Sequence, residues 1–460
     1  MYCYDVENMS TDEKYVIIGG DAAGMSAASK IRRERPDCEI VVFEKGEYTS
    51  YSACGMPYYV SGVVSGFEKL IARSPDVFRE KMGIDVRALQ EVVAVDPQTQ
   101  TVRARPAGSG AASEYKQSYG KLLIATGASP VRPPIEGIDA PGIMGLSSLQ
   151  SGIDMRTAVE QTKPKRAVVV GGGYIGLEMV EALLKIDCDV TLIDQASQVM
   201  ATLDEDLAAL IQEYLETSGA RVLLNEPLRE FALRSDGHVE AVVTDSHTLP
   251  ADLVVMGLGV RPNSELARSA GISLGARDAI RVNRRMETSV PGIWSAGDCA
   301  ESFHRVLGKP VHIALGTVAN KHGIVAGTNM SGGDLEFPGV LGTAIMKVGD
   351  LEVARTGVSE REATEAGLRC RTATIKSRTR AGYYPGSERM HVKLVVSEQE
   401  GTILGGQIVG GHGAGKRIDT VAASITGNLS ARDLVNMDLS YAPPFSPVWD
   451  PVQTAARTLV

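Results

Sequence analysis

Two stretches of the chain share one pattern of hydrophobic and polar positions. Each begins with a short apolar run, at residues 15–18 and 167–170, and passes through a glycine-rich turn into a segment of helical periodicity. Each then ends in a second apolar run that closes on an acid, Glu44 in the first stretch and Asp194 in the second. Short apolar runs bounded by glycine predict buried strands, and a 3.6-residue period predicts an amphipathic helix. Both stretches therefore predict a strand, a tight turn, a helix and a second strand.

The glycines in the two turns have the arrangement of the βαβ unit that binds dinucleotides. Glycine lets the backbone approach a pyrophosphate, the helix N-terminus offers free N–H groups to it, and the terminal acid accepts hydrogen bonds from a ribose. The predicted ligands are Gly19, Gly20, Gly24 and Glu44 in the first unit, and Gly171, Gly173, Gly176 and Asp194 in the second. Asp21 stands where the middle glycine of the first unit belongs, and we expect its carboxylate to point away from a pyrophosphate.

The remaining pattern predicts an α/β protein in which two Rossmann-like units are followed by a different third domain. Small strands are predicted at 86–95, 101–105, 222–224, 239–244 and 253–256, and a helix at 204–218. From about residue 333 the pattern predicts strands at 343–348, 371–376, 391–396 and 402–409, and then a helix near 417–427. This last region has no glycine fingerprint and is typical of an α+β domain.

Composition narrows the class of protein. Hydrophobic residues make up 43% and charged residues 22% of 460, as in globular proteins. A net charge of −9 argues against a general nucleic-acid binder, and no apolar run reaches the roughly 18 residues of a membrane span. The N-terminus has no signal-peptide pattern, and the six cysteines form no C-x-x-C motif. We therefore expect a cytoplasmic protein with reduced thiols, no metal site and no membrane partner.

Three further motifs give the chain an end-to-end resemblance to the flavoprotein disulfide reductases that hold two dinucleotides. They lie at residues 122–128 before Pro130, at 257–263 and at 293–298. The resemblance implies FAD in the first unit, a nicotinamide nucleotide in the second and a C-terminal dimerisation domain. It further implies cofactor contacts from Thr126, Gly127, Gly259, Asp298 (to the ribityl chain) and Glu178 (to nicotinamide). The implied domains are 1–145 with 280–332 for FAD, 146–279 for NAD(P)H and 333–460 for dimerisation.

The segment around Cys54 distinguishes branches of that family. Most members place two cysteines five residues apart here, whereas this chain offers Cys54 alone, with Cys38 the nearest other cysteine. A lone thiol must cycle with an external sulfur or as a sulfenic acid. The segment is therefore similar to the single-cysteine branch that contains the coenzyme A disulfide reductases. The resemblance implies that NADH reduces FAD, which then cleaves a mixed disulfide between Cys54 and coenzyme A (CoA).

The same resemblance implies a homodimer in which tyrosines of one chain complete the active site of the other. Tyr383 and Tyr441 are the expected pair, with Tyr384 as the adjacent alternative to Tyr383. The implied CoA contacts are Lys30, Arg33, Ser50 and Lys81. Ala53, where some members have asparagine, leaves room for a smaller or persulfidic thiol instead of CoA.

Two expectations concern electrostatics. Asp194 would repel a 2′-phosphate, so NADH is preferred, although NADPH stays open. Cys54 lies just before Pro57, which favours the first turn of a helix, and the helix dipole should lower the pKa of the thiol.

Three alternatives stay open beside a CoA-disulfide reductase. The nearest is a polysulfide or CoA-persulfide reductase, which would use the same cysteine. An NADH oxidase or peroxidase is disfavoured because the first glycine turn holds no histidine and has alanine at position 23. A non-catalytic flavoprotein that senses redox state would not need a lone cysteine combined with the tyrosine motifs.

Overall fold

The computed structural model describes residues 14–460, and its first part is a parallel sheet in the strand order β18-β7-β1-β2-β3. The strands up to residue 130 are β1 (Lys14–Ile18), β2 (Glu39–Phe43), β3 (Asp85–Arg87), β4 (Gln90–Asp96), β5 (Thr101–Pro106), β6 (Tyr115–Ser118), β7 (Lys121–Ile124) and β8 (Ala128–Pro130). The helices are α1 (Ala22–Glu34), α2 (Met56–Val60) and α3 (Pro75–Met82). Strands β4, β5 and β6 form a separate antiparallel sheet.

A second parallel sheet follows, in the order β12-β11-β10-β16-β9. Its region holds the strands β9 (Ile143–Met144), β10 (Arg166–Val170), β11 (Asp189–Asp194), β12 (Arg221–Leu224), β13 (Glu230–Leu233), β14 (Val239–Val243), β15 (Thr248–Pro250), β16 (Leu253–Met256) and β17 (Val260–Pro262). Its helices are α4 (Leu149–Thr162), α5 (Tyr174–Leu184), α6 (Glu205–Thr217) and α7 (Glu265–Ser269). Strands β13, β14 and β15 form an antiparallel sheet of their own.

The chain then returns to the first sheet. This return comprises β18 (Ile293–Ser295), β19 (Ser302–His304), β20 (Lys309–Val311) and α8 (Gly316–Met330). Strand β18 pairs with β7, and α8 packs along α1. The first sheet is therefore built from two separate stretches of the chain.

The C-terminal region is an antiparallel sheet in the order β21-β22-β25-β24-β23, with helices against it. Its elements are β21 (Ala344–Val348), β22 (Leu351–Gly357), α9 (Glu360–Glu365), β23 (Cys370–Arg378), β24 (Arg389–Ser397), β25 (Ile403–Gly410), α10 (Ile418–Thr426), α11 (Ala431–Asn436) and α12 (Pro451–Arg457). The predicted architecture is therefore confirmed. The pattern missed β22, because five of its seven positions are buried and the strand shows no alternation of apolar and polar residues.

A buried ionic cluster joins the C-terminal sheet to α6. Lys393 of β24 lies 3.2 Å from Asp204 and from Asp206, and 2.8 Å from Glu360. Asp204 also accepts a hydrogen bond from the Gln407 side chain. A buried cation with three carboxylate partners fixes the position of α6 against this sheet.

Candidate active site

The first glycine turn is built so that only glycine fits at two positions. Gly19 has φ +107°, and a Cβ atom there would lie 2.0 Å from the Ala125 carbonyl oxygen. A Cβ atom on Gly24 would lie 1.9 Å from the Gly19 carbonyl oxygen. At the end of β2, the Glu44 carboxylate accepts a 2.7 Å hydrogen bond from the Gly20 amide. The close approach of turn, helix and acid fits the adenosine and pyrophosphate of a dinucleotide.

The second turn repeats this geometry almost atom for atom. Gly171 has φ +105°, and a Cβ atom on Gly176 would lie 1.9 Å from the Gly171 carbonyl oxygen. The Asp194 carboxylate accepts a 2.6 Å hydrogen bond from the Gly172 amide, the counterpart of the Glu44 bond. No atom lies within 4 Å of a Cβ built on Gly173, so this side of the turn is open. The residues of both units thus fit the two nucleotide sites that the sequence predicts.

A reciprocal hydrogen-bond pair closes the joint between the two sheets. Thr126 donates through Oγ1 to the Asn263 carbonyl oxygen at 2.6 Å, and Asn263 donates through Nδ2 to the Thr126 carbonyl oxygen at 2.8 Å. Gly127 accepts from the Asn263 amide, and Gly259 lies just before β17, which pairs with β8. These contacts hold residues 126–130 against residues 257–263, which belong to two of the motifs that carry the family resemblance.

Cys54 lies in a single 3₁₀ turn, Ala53–Gly55, directly before α2, which has Pro57 in its first turn as expected. The residue is exposed, although enough protein surrounds the sulfur to disfavour its anion. Burial raises the pKa of the Cys54 thiol, and the nearby carboxylates of Glu178 and Asp298 raise it further. The expectation of a lowered pKa is therefore wrong for this chain by itself. Helix α2 is only five residues long, and two nearby negative charges outweigh its dipole.

Glu178 and Asp298 place Cys54 between the two predicted nucleotide sites. Glu178 lies on α5, directly after the second glycine turn, and Asp298 follows β18 of the first sheet. Burial raises the pKa of Glu178 to about 7, with a smaller contribution from Glu181. The side chain is thus largely buried and acts on the Cys54 thiol, unlike a solvent-facing glutamate on a helix surface.

Asp298 has a histidine partner that the sequence analysis assigned to no site. The His312 ring donates through Nε2 to the Asp298 carbonyl oxygen at 2.7 Å. Burial raises the pKa of the Asp298 carboxyl, and His312 opposes that rise. Only the folded chain reveals this pairing, because no motif connects positions 298 and 312.

Asp21 links the first glycine turn to the Cys54 segment. Its Oδ1 atom accepts a 3.1 Å hydrogen bond from the Tyr51 amide, and the Ser50 amide donates to the Gly20 carbonyl oxygen at 3.2 Å. Ser50 has φ +48°, a conformation that non-glycine residues adopt rarely. Burial raises the pKa of Asp21 to about 7, assisted by Glu44 and Asp298. The carboxylate is therefore directed at the Cys54 segment and not at the N-terminus of α1, which it does not cap.

Two tyrosines near the nucleotide sites lie in different settings. Tyr174 begins α5 and hydrogen-bonds to Thr202, while burial raises the pKa of its hydroxyl. Tyr58, which the sequence analysis overlooked, lies near Cys54 and Glu178, and burial followed by Glu178 raises its pKa. Its position within the Cys54 motif was the signal that could have identified it.

Tyr383 and Tyr441 lie together on the surface of the C-terminal region. Partial desolvation raises the pKa of Tyr441, followed by a hydrogen bond with Tyr383. Tyr383 is 77% exposed, whereas Tyr384 is 36% exposed. Within residues 14–460, neither tyrosine of the pair is among the groups that act on the Cys54 thiol of the same chain. Any contact of this pair with a Cys54 thiol would therefore involve a second copy.

Of the predicted CoA-binding cations, Lys30 and Arg33 contact residues of their own helix and Lys81 is exposed. Lys30 forms a 2.5 Å ion pair with Glu34, and the Arg33 guanidinium donates through Nε to the Ser29 carbonyl oxygen. Lys81 is exposed near the end of α3. Among the described residues, no hydrogen bond or ion pair connects these three side chains to residues 50–56. The structure brings only Ser50 of the predicted CoA contacts into the Cys54 segment.

The described residues contain neither a membrane-spanning helix nor a cluster of metal ligands. Of the helices between residues 14 and 460, none is long and apolar enough to cross a bilayer. In the same range, no three histidine, cysteine, aspartate or glutamate side chains converge as ligands of a metal ion would. Cys3 lies outside the described residues.

Family comparisons match almost the whole chain. Residues 13–323 match the family "Pyridine nucleotide-disulphide oxidoreductase", and residues 343–451 match its dimerisation domain. A Pyrococcus furiosus protein named NAD(P)H sulfur oxidoreductase (CoA-dependent) is 43% identical over 450 residues, which cover 97% of this chain and 99% of that protein. A Staphylococcus haemolyticus coenzyme A disulfide reductase is 30% identical over 434 residues, covering 94% of this chain and 96% of that protein.

A solved structure has the same fold over nearly the full length. The NAD-dependent persulfide reductase of A. fulgidus superposes with a TM-score of 0.92 at 40% identity, covering 97% of this chain and 82% of that chain. The match to the dimerisation domain lies C-terminal to the match to the oxidoreductase family.

Proposed function

The chain belongs to the pyridine nucleotide-disulphide oxidoreductase family, and we propose that within it the protein reduces coenzyme A disulfide at Cys54. The protein is an FAD- and NAD(P)H-dependent oxidoreductase with a dimerisation domain. One observation carries the proposal: the lone cysteine of the motif is exposed, and the carboxylates of Asp298 in one nucleotide unit and Glu178 in the other both act on its thiol. An exposed thiol at this junction can receive electrons on one side and an external sulfur on the other.

The chain's own residues supply the two nucleotide sites. FAD, when bound, would accept two electrons from NAD(P)H and deliver them to the sulfur at Cys54. The first glycine turn, Glu44 and Asp298 would hold its pyrophosphate, ribose and ribityl chain. The second turn, Asp194 and Glu178 would hold the nicotinamide nucleotide, with the charge of Asp194 favouring NADH.

Each turnover at Cys54 would consume two electrons and two protons. Two electrons and one proton cleave the mixed disulfide between Cys54 and CoA, which leaves the Cys54 thiolate and one CoA thiol. The thiolate attacks one sulfur of a CoA disulfide, the S–S bond breaks, and a CoA thiolate departs. This thiolate then takes up a proton to become the second CoA thiol. The new mixed disulfide restores the starting state. One NADH and one proton thus convert one CoA disulfide into two CoA thiols.

Glu178 is placed to exchange a proton with the sulfur region during this cycle. Its carboxyl titrates near neutral pH because it is buried, and its charge raises the pKa of the Cys54 thiol. When Glu178 holds a proton, the Cys54 anion loses one repulsive neighbour. Protonation of Glu178 therefore favours the nucleophilic thiolate.

A second copy of the chain would complete the site. Beside Tyr383 and Tyr441, the exposed large apolar side chains of this surface are Tyr384, Phe445, Val448 and Trp449. Contiguous exposed aromatic and apolar side chains mark surfaces that become buried on association. In the dimer, the hydroxyls of Tyr383 and Tyr441 would reach the partner's sulfur site and supply the proton that the departing thiolate needs.

Cations on the helical face beside the first unit would bind the phosphates of the CoA that stays attached to Cys54. Lys30, Arg33 and Lys81 are candidates for this role, and Ser50 is a candidate contact in the Cys54 segment. Lys30 and Lys81 would have to reorient or exchange partners, since Lys30 now pairs with Glu34.

A second candidate function is reduction of polysulfide or CoA persulfide. It is favoured by the Pyrococcus furiosus and A. fulgidus relatives, whose names refer to sulfur and persulfide. It uses the same thiol, but the departing group would be a sulfide or polysulfide anion. An oxidase activity is disfavoured because the first turn lacks a histidine, although a Methanocaldococcus jannaschii relative is named NADH oxidase.

Anaerobic reduction of the protein with NADH, followed by separate assays with four acceptors, tests the proposal. CoA disulfide should be reduced faster than polysulfide, peroxide and oxygen. Cys54→Ser should abolish disulfide reduction while FAD binding and its reduction by NADH persist, and Cys370→Ser, another free cysteine, serves as the matched control. Failure of the wild-type protein to reduce CoA disulfide, or retained reduction in Cys54→Ser, would overturn the assignment.

A further inference from the structure

The end of the β23–β24 hairpin carries a cluster of positive charge beside Tyr383. We name as hairpin cations the four residues Lys376, Arg378, Arg380 and Arg389. Three of them are exposed, and Arg380 is half-buried. The ten residues between Arg378 and Arg389 form the turn that presents Tyr383 and Tyr384.

Strand register places two arginines directly opposite one another. Arg378 pairs with Arg389, and Lys376 pairs with His391. Residues directly opposite in an antiparallel pair share one face, and like charges there are destabilising. The pKa of His391 is lowered by burial first and then by Lys376 and Arg389. This end of the sheet therefore holds an electrostatic strain that an anion would relieve.

Further along the same face of the sheet, Lys393 is a cation that carboxylates neutralise. Lys393 has carboxylates of Asp204, Asp206 and Glu360 within 3.2 Å. Thr374, two residues before Lys376, also donates to Asp206. In the part of the chain from 14 to 460, by contrast, no ion pair involves any of the hairpin cations. The carboxylates of α6 form no ion pair with the hairpin cations in the described part of the chain.

Arg380 adds an unused donor. Its Nε atom is buried and has no hydrogen-bond partner among the described residues. Arg378 makes only one side-chain hydrogen bond in that range, to the Ser387 carbonyl oxygen. Guanidinium groups with free N–H donors are well suited to bind phosphate oxygens in a bidentate manner.

The proposed substrate has more phosphate than the sites assigned so far can hold. A CoA disulfide consists of two CoA halves, each with a pyrophosphate and a ribose phosphate joined to sulfur through a pantetheine arm. Lys30, Arg33 and Lys81 would serve the half that stays on Cys54. The half that departs would begin at the tyrosines, and the hairpin cations flank Tyr383 and Tyr384 on both sides in the chain.

We propose that the hairpin cations bind the phosphate groups of the departing CoA half, across the dimer from the Cys54 that is being regenerated. The inference rests on the proposed function. Arg378 and Tyr383 are five positions apart, and a chain spans at most about 3.6 Å per residue, so the two residues lie within roughly 18 Å of each other. Polysulfide has no phosphate, so this site would serve CoA disulfide and not a sulfide acceptor.

The test compares two disulfides that differ in phosphate. Pantethine has the same pantetheine arm and disulfide as CoA disulfide but carries no phosphate. In the flavin-loaded dimer, Arg378→Gln/Arg389→Gln should raise KM for CoA disulfide at least tenfold and leave KM for pantethine and the rate of flavin reduction by NADH unchanged. Lys416→Gln/Arg432→Gln, which removes two cations elsewhere in the same region, is the matched control and should change neither.

Further measurements keep the outcome decisive. Lys376→Gln, a single exposed change, should give a smaller rise of the same kind should the double variant fail to fold. Added salt should raise KM for CoA disulfide more steeply than KM for pantethine in the wild-type protein, because it screens phosphate contacts. An unchanged ratio of the two KM values in the variants overturns the inference while the proposed function stands. A wild-type protein inactive on both disulfides overturns the proposed function itself.

Discussion

The Asp21 carboxylate accepts a hydrogen bond of 3.1 Å from the Tyr51 amide, so the first glycine turn and the Cys54 segment are directly joined. The two residues are 30 positions apart in the chain. An aspartate in a nucleotide-binding turn looks unfavourable beside a pyrophosphate, yet here it holds the backbone three residues before the proposed reactive sulfur. Its buried carboxyl, with a pKa of about 7, is partly protonated at neutral pH, which lessens that repulsion.

Replacement of the Asp21 carboxylate should change how the stability of the protein depends on pH. The folded-state pKa of Asp21 is raised from 3.8 to about 7, so the folded protein binds the proton more tightly than the unfolded chain between these values. Stability therefore falls as pH rises from about 4 to about 7, and Asp21→Asn removes that loss. In flavin-free protein, we expect Asp21→Asn to raise Tm by a few degrees at pH 7 and much less near pH 4.

Thermal unfolding at several pH values measures this difference. Asp37→Asn, which changes an exposed aspartate after α1, is the control and should leave Tm unaltered throughout. A gap between Asp21→Asn and wild type that does not widen with pH would contradict the assigned burial of Asp21.

Glu178 should control the acidity of Cys54. Its negative charge raises the pKa of the thiol, so Glu178→Gln should lower that pKa and increase the thiolate fraction at neutral pH. The pH dependence of Cys54 alkylation by iodoacetamide reports the midpoint directly. We expect the midpoint to move to lower pH in Glu178→Gln and to stay in place in Glu213→Gln, a change on α6. A midpoint that stays or rises in Glu178→Gln would show that the charge of Glu178 does not raise the pKa of Cys54.

Asp194 should set the choice of nicotinamide nucleotide. Asp194→Asn keeps an oxygen that can accept from the Gly172 amide but removes the charge that repels a 2′-phosphate. The ratio of kcat/KM for NADH to that for NADPH should fall about tenfold, or roughly 1.4 kcal/mol. Asp189→Asn, at the exposed start of β11, should leave the ratio unchanged. An unaltered ratio in Asp194→Asn would assign the preference to other residues.

The tyrosine pair offers a prediction about product release. Tyr441→Phe removes a hydroxyl that hydrogen-bonds to Tyr383 and, in the proposed dimer, protonates the departing thiolate. The steady-state rate with CoA disulfide should fall about a hundredfold, at the low end of the range for general acids, while reduction of flavin by NADH stays as fast. Tyr384→Phe is the neighbouring control, and stopped-flow absorbance separates the two steps. Equal slowing of both steps would point to a structural role.

Much of the architecture could be predicted because it depends on patterns of residues within short stretches of the sequence. Two strand–turn–helix–strand repeats locate Glu44 and Asp194, and the structure gives both acids the same bond to a turn amide. Local patterns also placed Cys54 before a short helix, since Pro57 favours the first turn.

What the sequence could not show are contacts made by folding. Glu178 and Cys54 lie in separate motifs, and only the packing of α5 against α2 brings their charges together. The raised pKa of Cys54 follows from burial first and then from the charges of Glu178 and Asp298, so dipole reasoning from one short helix gave the wrong sign. The cross-strand Arg378 and Arg389 pair likewise needs the register of β23 and β24.

The most direct test of the account is the intact mass of protein that is first reduced with dithiothreitol and desalted, and then treated with CoA disulfide and freed of ligand. We expect the wild-type chain to gain the mass of one CoA, to lose it with dithiothreitol or NADH, and to show no gain in Cys54→Ser. A wild-type chain that gains no mass, or a Cys54→Ser chain that gains it, would contradict the role given to this sulfur.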